Sequence, residues 1–309
     1  MSKITTAINL LKHNRGEFFA SILMHLNFLF PDRLYLSLLF RFKMGYWMDW
    51  KNPKTFSEKL QWLKLYDRNP EYSTMVDKYA VKEYVSRIIG EEYIIPTLGV
   101  WDSPEDIDWD SLPHKFVLKT THGGGGSGVV ICRDKGTFDK ANAIAILKRS
   151  LSKCIYKSLR EWPYKNVSKK VVAEVYLEDN AHEVGDYDLK DYKFFCFNGE
   201  PKIFKIDFDR FIDHHANYYD VNGTILPFGE VAPSPVYERQ LEIPNNLSEM
   251  LAIARNLAQG LPFARVDLYN LQGKIKFGEI TLFPTSGFGK FTDPEWDLRL
   301  GSWLELPNK

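Results

Sequence analysis

The sequence predicts an α+β fold, in which a helical N-terminal region precedes strands that alternate with helices. Residues 1–90 carry apolar side chains at helical spacing, with basic residues between them. After residue 90, short β-branched and aromatic runs of strand length become frequent. The length of 309 residues and a hydrophobic content of 44% allow about two lobes that share a core.

The overall charge and the cysteines narrow the functional classes. Lys and Arg total 40, and Asp and Glu also total 40, so the chain has no general basic field. We therefore expect no nucleic-acid partner. The three cysteines, Cys132, Cys154 and Cys196, lie far apart and support neither a zinc site nor a disulfide framework. This pattern is typical of the reducing cytoplasm.

One segment, Phe18–Phe30, is apolar enough to suggest a membrane contact. It is too short to span a bilayer, it contains His25 and Asn27, and no cleavage site of small residues follows it. The sequence favours a buried helix that packs on the main body over an anchor at the membrane surface. Peripheral association with the inner face of the membrane stays open as the alternative.

The remaining elements follow from periodicity and from helix-start signals. Asp32 after Pro31 predicts one helix start, and Ser57 with Glu58 predicts another. The helical pattern repeats over 76–89. The later predicted elements are helices over 138–160 and 247–257 and strands over 116–119, 129–132, 171–176, 192–197, 201–208, 216–221, 265–270 and 274–280.

A glycine-rich loop at 122–128 lies between the predicted strands 116–119 and 129–132. Consecutive glycines are used where the backbone must bend freely or approach a ligand closely. Their N–H groups can hold phosphate oxygens. Lys119 ends the first strand and His122 opens the loop, so the segment predicts a lid over the phosphates of a nucleotide.

Other glycine loops fit this segment less well. Gly123, Gly125 and Gly128 match a dinucleotide fingerprint, but that motif requires a helix where the sequence predicts a strand. A P-loop would end in Gly-Lys-Ser/Thr, and a protein kinase would carry His-Arg-Asp and Asp-Phe-Gly motifs downstream; the sequence has neither. A flexible hairpin tip explains the glycines, but it does not explain Lys119 and His122.

A second signal comes from two alternating segments near the C-terminus, 263–269 and 276–282. A short turn separates them and predicts an antiparallel hairpin. On these strands four polar side chains share one face: Arg265, Asp267, Glu279 and Thr281. Carboxylates with a hydroxyl suit Mg²⁺ that carries a triphosphate, and an adjacent arginine can neutralise the γ-phosphate. The alternative is the solvated face of an ordinary amphipathic hairpin.

Together these motifs resemble the ATP-grasp superfamily, and more closely its branch related to the teichuronopeptide biosynthesis protein TupA. The resemblance extends over roughly residues 35–295, with its motifs in the expected order. Its motifs are Asn52–Trp62, Asp77–Tyr79, Phe116–Gly125, Asp191–Phe195, Ala264–Asp267 and Gly278–Thr281.

The resemblance implies an ATP-grasp fold in which two α+β lobes clamp ATP, with an N-terminal helical extension. The implied boundaries are 1–90 for the helical region, 91–175 for the small lobe with the lid, and 176–309 for the lobe with the metal site. The implied cofactors are ATP and Mg²⁺.

The resemblance also assigns site residues. Lys78 and Lys119 would hold the ATP phosphates, and Arg265 with Lys119 would act in catalysis. Thr281 stands where many members have Asn, which leaves the number of metal ions open. The implied contacts of the nucleotide are Lys78, Lys119, His122, Gly123, Gly124, Gly125, Gly126, Ser127, Glu174, Val175, Tyr176 and Lys193, and the implied metal ligands are Asp267, Glu279 and Thr281.

The implied reaction is an ATP-dependent ligation of a carboxylate to an amine through an acyl phosphate. The expected substrates are a uronic acid of a capsular or O-antigen polysaccharide and an amine or amino acid. The segment Phe283–Phe291 is the candidate acceptor-side loop. Two alternatives are a sugar transferase of the glycosyltransferase type and a non-catalytic nucleotide-binding scaffold of the same pathway.

Overall fold

The computed structural model describes residues 13–124, 126–178, 189–209, 212–239 and 241–308. Two antiparallel sheets with surrounding helices confirm the predicted α+β class. The helices are α1 (Arg15–His25), α2 (Asp32–Met44), α3 (Phe56–Tyr66), α4 (Glu71–Val76), α5 (Ala80–Ile89), α6 (Lys140–Leu151), α7 (Ile155–Leu159), α8 (Leu247–Ala258) and α9 (Glu295–Trp303). The strands are β1 (Thr97–Trp101), β2 (Phe116–Thr120), β3 (Val129–Cys132), β4 (Val171–Val175), β5 (Asp191–Phe197), β6 (Glu200–Phe208), β7 (His215–Asp220), β8 (Phe263–Leu271) and β9 (Lys274–Thr281).

The smaller sheet has four strands in the order β1-β4-β2-β3. Strands β2 and β3 form the predicted hairpin, with Lys119 opposite Val129, so the glycine loop lies at its end. Alternate residues of β2, Phe116 and Leu118, are buried, and Leu147 of α6 packs in the same cluster. This packing fixes the strand that carries Lys119.

The larger sheet has five strands in the order β7-β6-β5-β8-β9. Helix α8 packs against β5, β6 and β8, and Ala254 and Leu257 of this helix are fully buried. The predicted hairpin of β8 and β9 is present, with Arg265 opposite Thr281 and Asp267 opposite Glu279. Because opposed residues of paired strands share a face, the four polar side chains lie together.

The helix-start predictions at Asp32 and near Ser57 are confirmed. Helix α2 begins at Asp32 after Pro31. Helix α3 begins one residue before Ser57, because Thr55 and Glu58 form a capping box. That helix also packs against α9.

Two of the helix predictions were wrong, because each predicted segment is interrupted in the structure. The segment 76–89 is interrupted, because Asp77 accepts hydrogen bonds from the N–H groups of Tyr79 and Ala80 and ends α4 before α5 begins. The segment 138–160 likewise divides into α6 and α7. The first interruption matters for the site, since it frees the backbone of Lys78 for a contact outside the helices.

The interpretation of Phe18–Phe30 as a buried helix was wrong for one of its faces. Ala20 and Leu23 are buried, but Phe28 and Leu29 are 76% and 60% exposed. Among the described residues, no helix is long and apolar enough to cross a membrane.

Candidate active site

A row of charged side chains crosses the inner face of the larger sheet. Glu279 of β9 lies opposite Asp267 of β8, and Asp267 lies opposite Lys193 of β5. Lys193 in turn lies opposite Lys205 of β6. The sheet therefore aligns two carboxylates and two ammonium groups across four neighbouring strands. Lys205 was not predicted, because the alternation of β6 alone does not show that its face continues this row.

Arg265 connects the row to the predicted metal ligands. Its Nε and Nη2 atoms donate to the two oxygens of Asp267, each at 2.7 Å, and Nη2 also donates to the hydroxyl of Thr281 at 3.0 Å. The Thr281 hydroxyl donates to Glu279 at 2.8 Å. The sequence-predicted cluster is thus one hydrogen-bonded unit with a bidentate ion pair at its centre.

Lys78 joins the two sheets at this point. Its ammonium group lies 2.7 Å from Glu279 of the larger sheet, and its backbone N–H donates to the carbonyl of Thr121 at 2.9 Å, at the base of the glycine loop. Burial alone would raise the pKa of Glu279, but Lys78 and Arg265 outweigh it and lower that pKa to about 2. Glu279 is therefore ionised at neutral pH.

Lys193 is buried among carboxylates. Its ammonium group contacts Asp191, lies 2.9 Å from Asp207 and lies 3.6 Å from Asp267. Burial would lower the pKa of Lys193, but these carboxylates raise it above its usual value. The lysine therefore stays charged. Asp191 and Asp207 were missed because nothing in the sequence marks which alternate residues of β5 and β6 meet.

A second charged group lies on the smaller sheet. Glu174 of β4 accepts from Lys119 at 2.5 Å and from Lys82 of α5 at 2.7 Å. Glu174 is buried, which alone would raise its pKa, yet the two lysines lower it. Lys82 was missed in the sequence, although it follows Lys78 by only four residues. Val175 follows, and its N–H donates to the carbonyl of Pro96 at 3.1 Å.

The glycine loop closes the β2–β3 hairpin with backbone contacts. Thr120 N–H donates to Gly128 carbonyl at 3.0 Å, and Ser127 N–H donates to Gly124 carbonyl at 3.1 Å. A Cβ on Gly123 would lie 2.4 Å from the carbonyl oxygen of Ser127, so this position requires glycine. Gly125, predicted to touch the nucleotide, lies outside the described residues.

His122 does not join either charged group. It is buried, and its Nε2 atom lies 3.2 Å from the carbonyl oxygen of Ser150 at the end of α6. Burial and the nearby Lys169 lower the pKa of the imidazole. The imidazole therefore supports the base of the loop in this arrangement, and its contact with phosphate stays a prediction.

The donor set of the larger sheet fits a Mg²⁺ ion that is bound together with phosphate. Asp267 and Glu279 supply carboxylates on directly opposed residues, and Thr281 supplies a hydroxyl. Within the part of the chain that the structure describes, no group of three or more His, Cys, Asp or Glu residues could hold a metal by itself. Mg²⁺ commonly takes one or two carboxylates and completes its shell with substrate phosphates and water.

Two antiparallel sheets thus carry lysines, an arginine and carboxylates that Lys78 connects. A family model described as TupA-like ATPgrasp matches residues 58–305. The chain therefore belongs to the TupA-like ATP-grasp family. This membership agrees with the ATP-grasp ligase activity and with the ATP and Mg²⁺ cofactors that the resemblance implied.

The solved structures to which the chain is similar include two ligases and an ATP-grasp protein. D-Alanine-D-alanine ligase from Helicobacter pylori is 15% identical over 81% of this chain and 67% of its own, with a TM-score of 0.44. The Bacillus anthracis ligase complexed with ATP is 18% identical over 68% and 54%, with a TM-score of 0.38. A RimK domain ATP-grasp protein from Sphaerobacter thermophilus is 11% identical over 77% and 70%, with a TM-score of 0.40. No curated protein matches the chain.

Proposed function

We propose that this ligase joins the carboxylate of a uronic acid to an amine or amino acid in the assembly of a capsular or O-antigen polysaccharide. The observation that supports ligation best is the contact between Lys78 and Glu279, because it brings the base of the glycine loop to the charged face of the larger sheet. The saccharide and the amine follow from the family's relation to polysaccharide assembly.

In the first step, a carboxylate oxygen of the substrate attacks the γ-phosphorus and the bond to the β,γ-bridging oxygen breaks, which yields an acyl phosphate and ADP. In the second step, the amine attacks the acyl carbon, phosphate leaves, and the amine nitrogen loses a proton. Lys78 and Lys119 neutralise phosphate charge, and Arg265 stabilises the charge that develops at the γ-phosphate. Mg²⁺ held by Asp267, Glu279 and Thr281 would polarise the phosphate oxygens.

The glycine loop, Gly123 to Ser127, covers the phosphates and excludes water, which would otherwise hydrolyse the acyl phosphate. Glu174, Val175 and Tyr176 flank the base and ribose of ATP, and Lys193 contacts phosphate or adenine. Glu174 can accept from a ribose hydroxyl when Lys119 moves to the phosphates. The lobe boundaries 91–175 and 176–309 belong to the same proposal, since each range contains one of the two sheets.

The acceptor binds beside Phe283–Phe291. This segment begins two residues after the end of β9, the strand that carries the proposed metal ligands Glu279 and Thr281. Thr285, Ser286 and Gly287 have φ values of 48°, 54° and 66°. Two of these are non-glycine residues in the left-handed region, where backbone strain is commonly kept for a functional purpose. Helix α3 holds this shape: Gln61 and Lys64 donate to the carbonyl of Ser286 at 3.1 Å and 2.8 Å.

Release of ADP with a panel of uronic acids and amino acids tests the proposal. We expect release that depends on both a uronic acid and an amine, and amide product by mass spectrometry. A thermal shift compares ATP–Mg²⁺ with UDP-sugars. Stabilisation by UDP-sugars and none by ATP–Mg²⁺ would favour a sugar transferase, and binding of ATP without turnover of any pair would favour a scaffold.

A further inference from the structure

The first two helices expose a continuous apolar surface. Phe19, Ile22 and Leu26 lie on one side of α1 because they are spaced by three and four residues, and each is at least 40% exposed. Phe28 and Leu29 follow in the 3₁₀ turn that joins α1 to α2. We call these five residues the N-terminal apolar surface.

The fold holds this surface in place. On the adjoining side of α1, Ala20 and Leu23 are buried against Tyr35 of α2. The guanidinium of Arg160 donates to the carbonyl of Asn27 at 2.6 Å and lies 4.2 Å from the centre of the Tyr35 ring. The contacts of Arg160 therefore hold the turn that carries Phe28 and Leu29 on its inner side. The two side chains point outward as a consequence of this packing.

The chain segment that carries the surface is positively charged. Residues 13–54 contain six Lys or Arg and three Asp or Glu, a net charge of +3, while the whole chain is neutral. Two of the three acidic residues are paired: Glu17 lies 2.9 Å from Lys43, and Asp32 lies 2.9 Å from Arg160. Arg15 lies one helical turn before Phe19 on α1 and is exposed, as are Arg33 of α2 and Lys157 of α7.

We propose that the N-terminal apolar surface docks this enzyme on an anionic phospholipid membrane. A short helix with apolar residues on one side and cations at its border can lie in the plane of a bilayer, with its apolar side chains among the acyl chains and its cations at the headgroups. A second copy of the chain fits less well, because a symmetric contact would place the same cations opposite one another.

The position of the surface connects it to the acceptor-side loop. Phe288 of that loop packs on the cluster that contains Tyr35 and Leu39, and its ring centre lies 6.4 Å from that of Phe40 of α2. Docking through α1 would hold this loop close to the membrane surface. The docking proposal itself rests on exposure and charge, and it stands independently of the substrate.

Co-sedimentation of the full chain with vesicles tests the proposal. We expect binding to vesicles of equal parts phosphatidylglycerol and phosphatidylcholine, weaker binding to phosphatidylcholine alone, and loss of binding as salt is raised. Replacement of Phe28 and Leu29 by Ser should reduce the partition coefficient about tenfold or more, because both side chains leave the acyl region. Arg33→Gln should give a smaller loss.

The matched control replaces two exposed apolar residues elsewhere, Ile212 and Leu298, which are 80% and 50% exposed. This double Ser variant should bind vesicles as the wild type does. Equal thermal unfolding of all variants shows that the fold is intact. Absence of wild-type binding, equal loss in both double variants, or a dimer that dissociates on replacement of Phe28 and Leu29 would overturn the proposal.

Discussion

The two hairpins of the candidate site have the same topology, but different kinds of contact stabilise them. The β2–β3 hairpin ends in a glycine loop held by backbone hydrogen bonds. The β8–β9 hairpin instead carries Arg265, Asp267 and Glu279, which fix one another by ion pairs and hydrogen bonds. A loop with few side-chain contacts can change shape around a ligand, whereas a charged unit on paired strands is preorganised for the transition state. In the proposed function, the first hairpin closes the site and the second carries out its chemistry.

The largest expected effect on activity comes from a change in the β8–β9 hairpin. Glu279→Gln removes the charge of a proposed metal ligand and weakens its contact with Lys78, so we expect kcat to fall by about 10²-fold or more. The measurement is ADP release at saturating ATP and varied Mg²⁺. Glu91→Gln, at an exposed position, is the control. Unchanged activity in Glu279→Gln would contradict the metal assignment.

Two glycines of the loop, Gly126 and Gly128, form a matched pair of positions that tests how closely the loop backbone packs. Gly128 has a φ of 77°, and a Cβ there would lie 2.3 Å from the hydroxyl oxygen of Ser150; Gly126 has a φ of 76° and open space around it. Both changes to Ala force a left-handed conformation, which costs about 1–2 kcal/mol. We expect Gly128→Ala to cost more and to raise KM for ATP further.

Thermal unfolding and ATP kinetics of the two glycine variants give the comparison. Equal melting temperatures and equal KM values would show that the loop adapts to the added methyl group. In that case the close packing of Gly128 against Ser150 would have no part in closing the site.

A smaller effect is expected where α3 holds the acceptor-side loop. Lys64 is buried and donates to the carbonyl and hydroxyl oxygens of Ser286, both at 2.8 Å. Lys64→Met keeps the apolar stem but releases the left-handed segment, so we expect KM for the acceptor to rise several-fold while KM for ATP stays constant. Loss of stability alone would lower the amount of active enzyme and leave both KM values unchanged.

The smallest effect concerns the pH dependence of stability. The pKa of Glu279 is about 2 in the folded protein and about 4.3 in an unfolded chain. A lowered folded-state pKa means that the stabilising contribution is complete above the unfolded value and is lost as pH falls toward 2. The difference in unfolding free energy between wild type and Glu279→Gln should therefore narrow between pH 5 and pH 3. Urea unfolding at these two values checks it, and a constant difference would contradict the ion pair with Lys78.

Local patterns in the sequence were enough to predict several parts of the site. Alternation in β8 and β9 placed Arg265, Asp267 and Glu279 on one face, because side chains of a strand alternate with a period of two residues. The strand that follows the glycines identified a hairpin, and the helix start at Asp32 followed from an acidic residue directly after a proline. These features depend on neighbours along the chain.

Contacts between distant segments required the tertiary structure. Lys78 and Glu279 are 201 residues apart, and no local pattern states that the interruption after α4 turns Lys78 toward β9. The same holds for Lys82 beside Glu174 and for Lys205 beside Lys193.

Helix α1 shows most clearly where prediction from the sequence ends. Its composition marked Phe18–Phe30 as apolar, but only the packing of Ala20 and Leu23 against α2 decided which side was buried. The sequence by itself determined the α+β class, the glycine loop between two strands and the charged hairpin, since each follows from short-range patterns. The tertiary structure decided which charges meet across the two sheets and which apolar side stays exposed, because both depend on how separate elements pack.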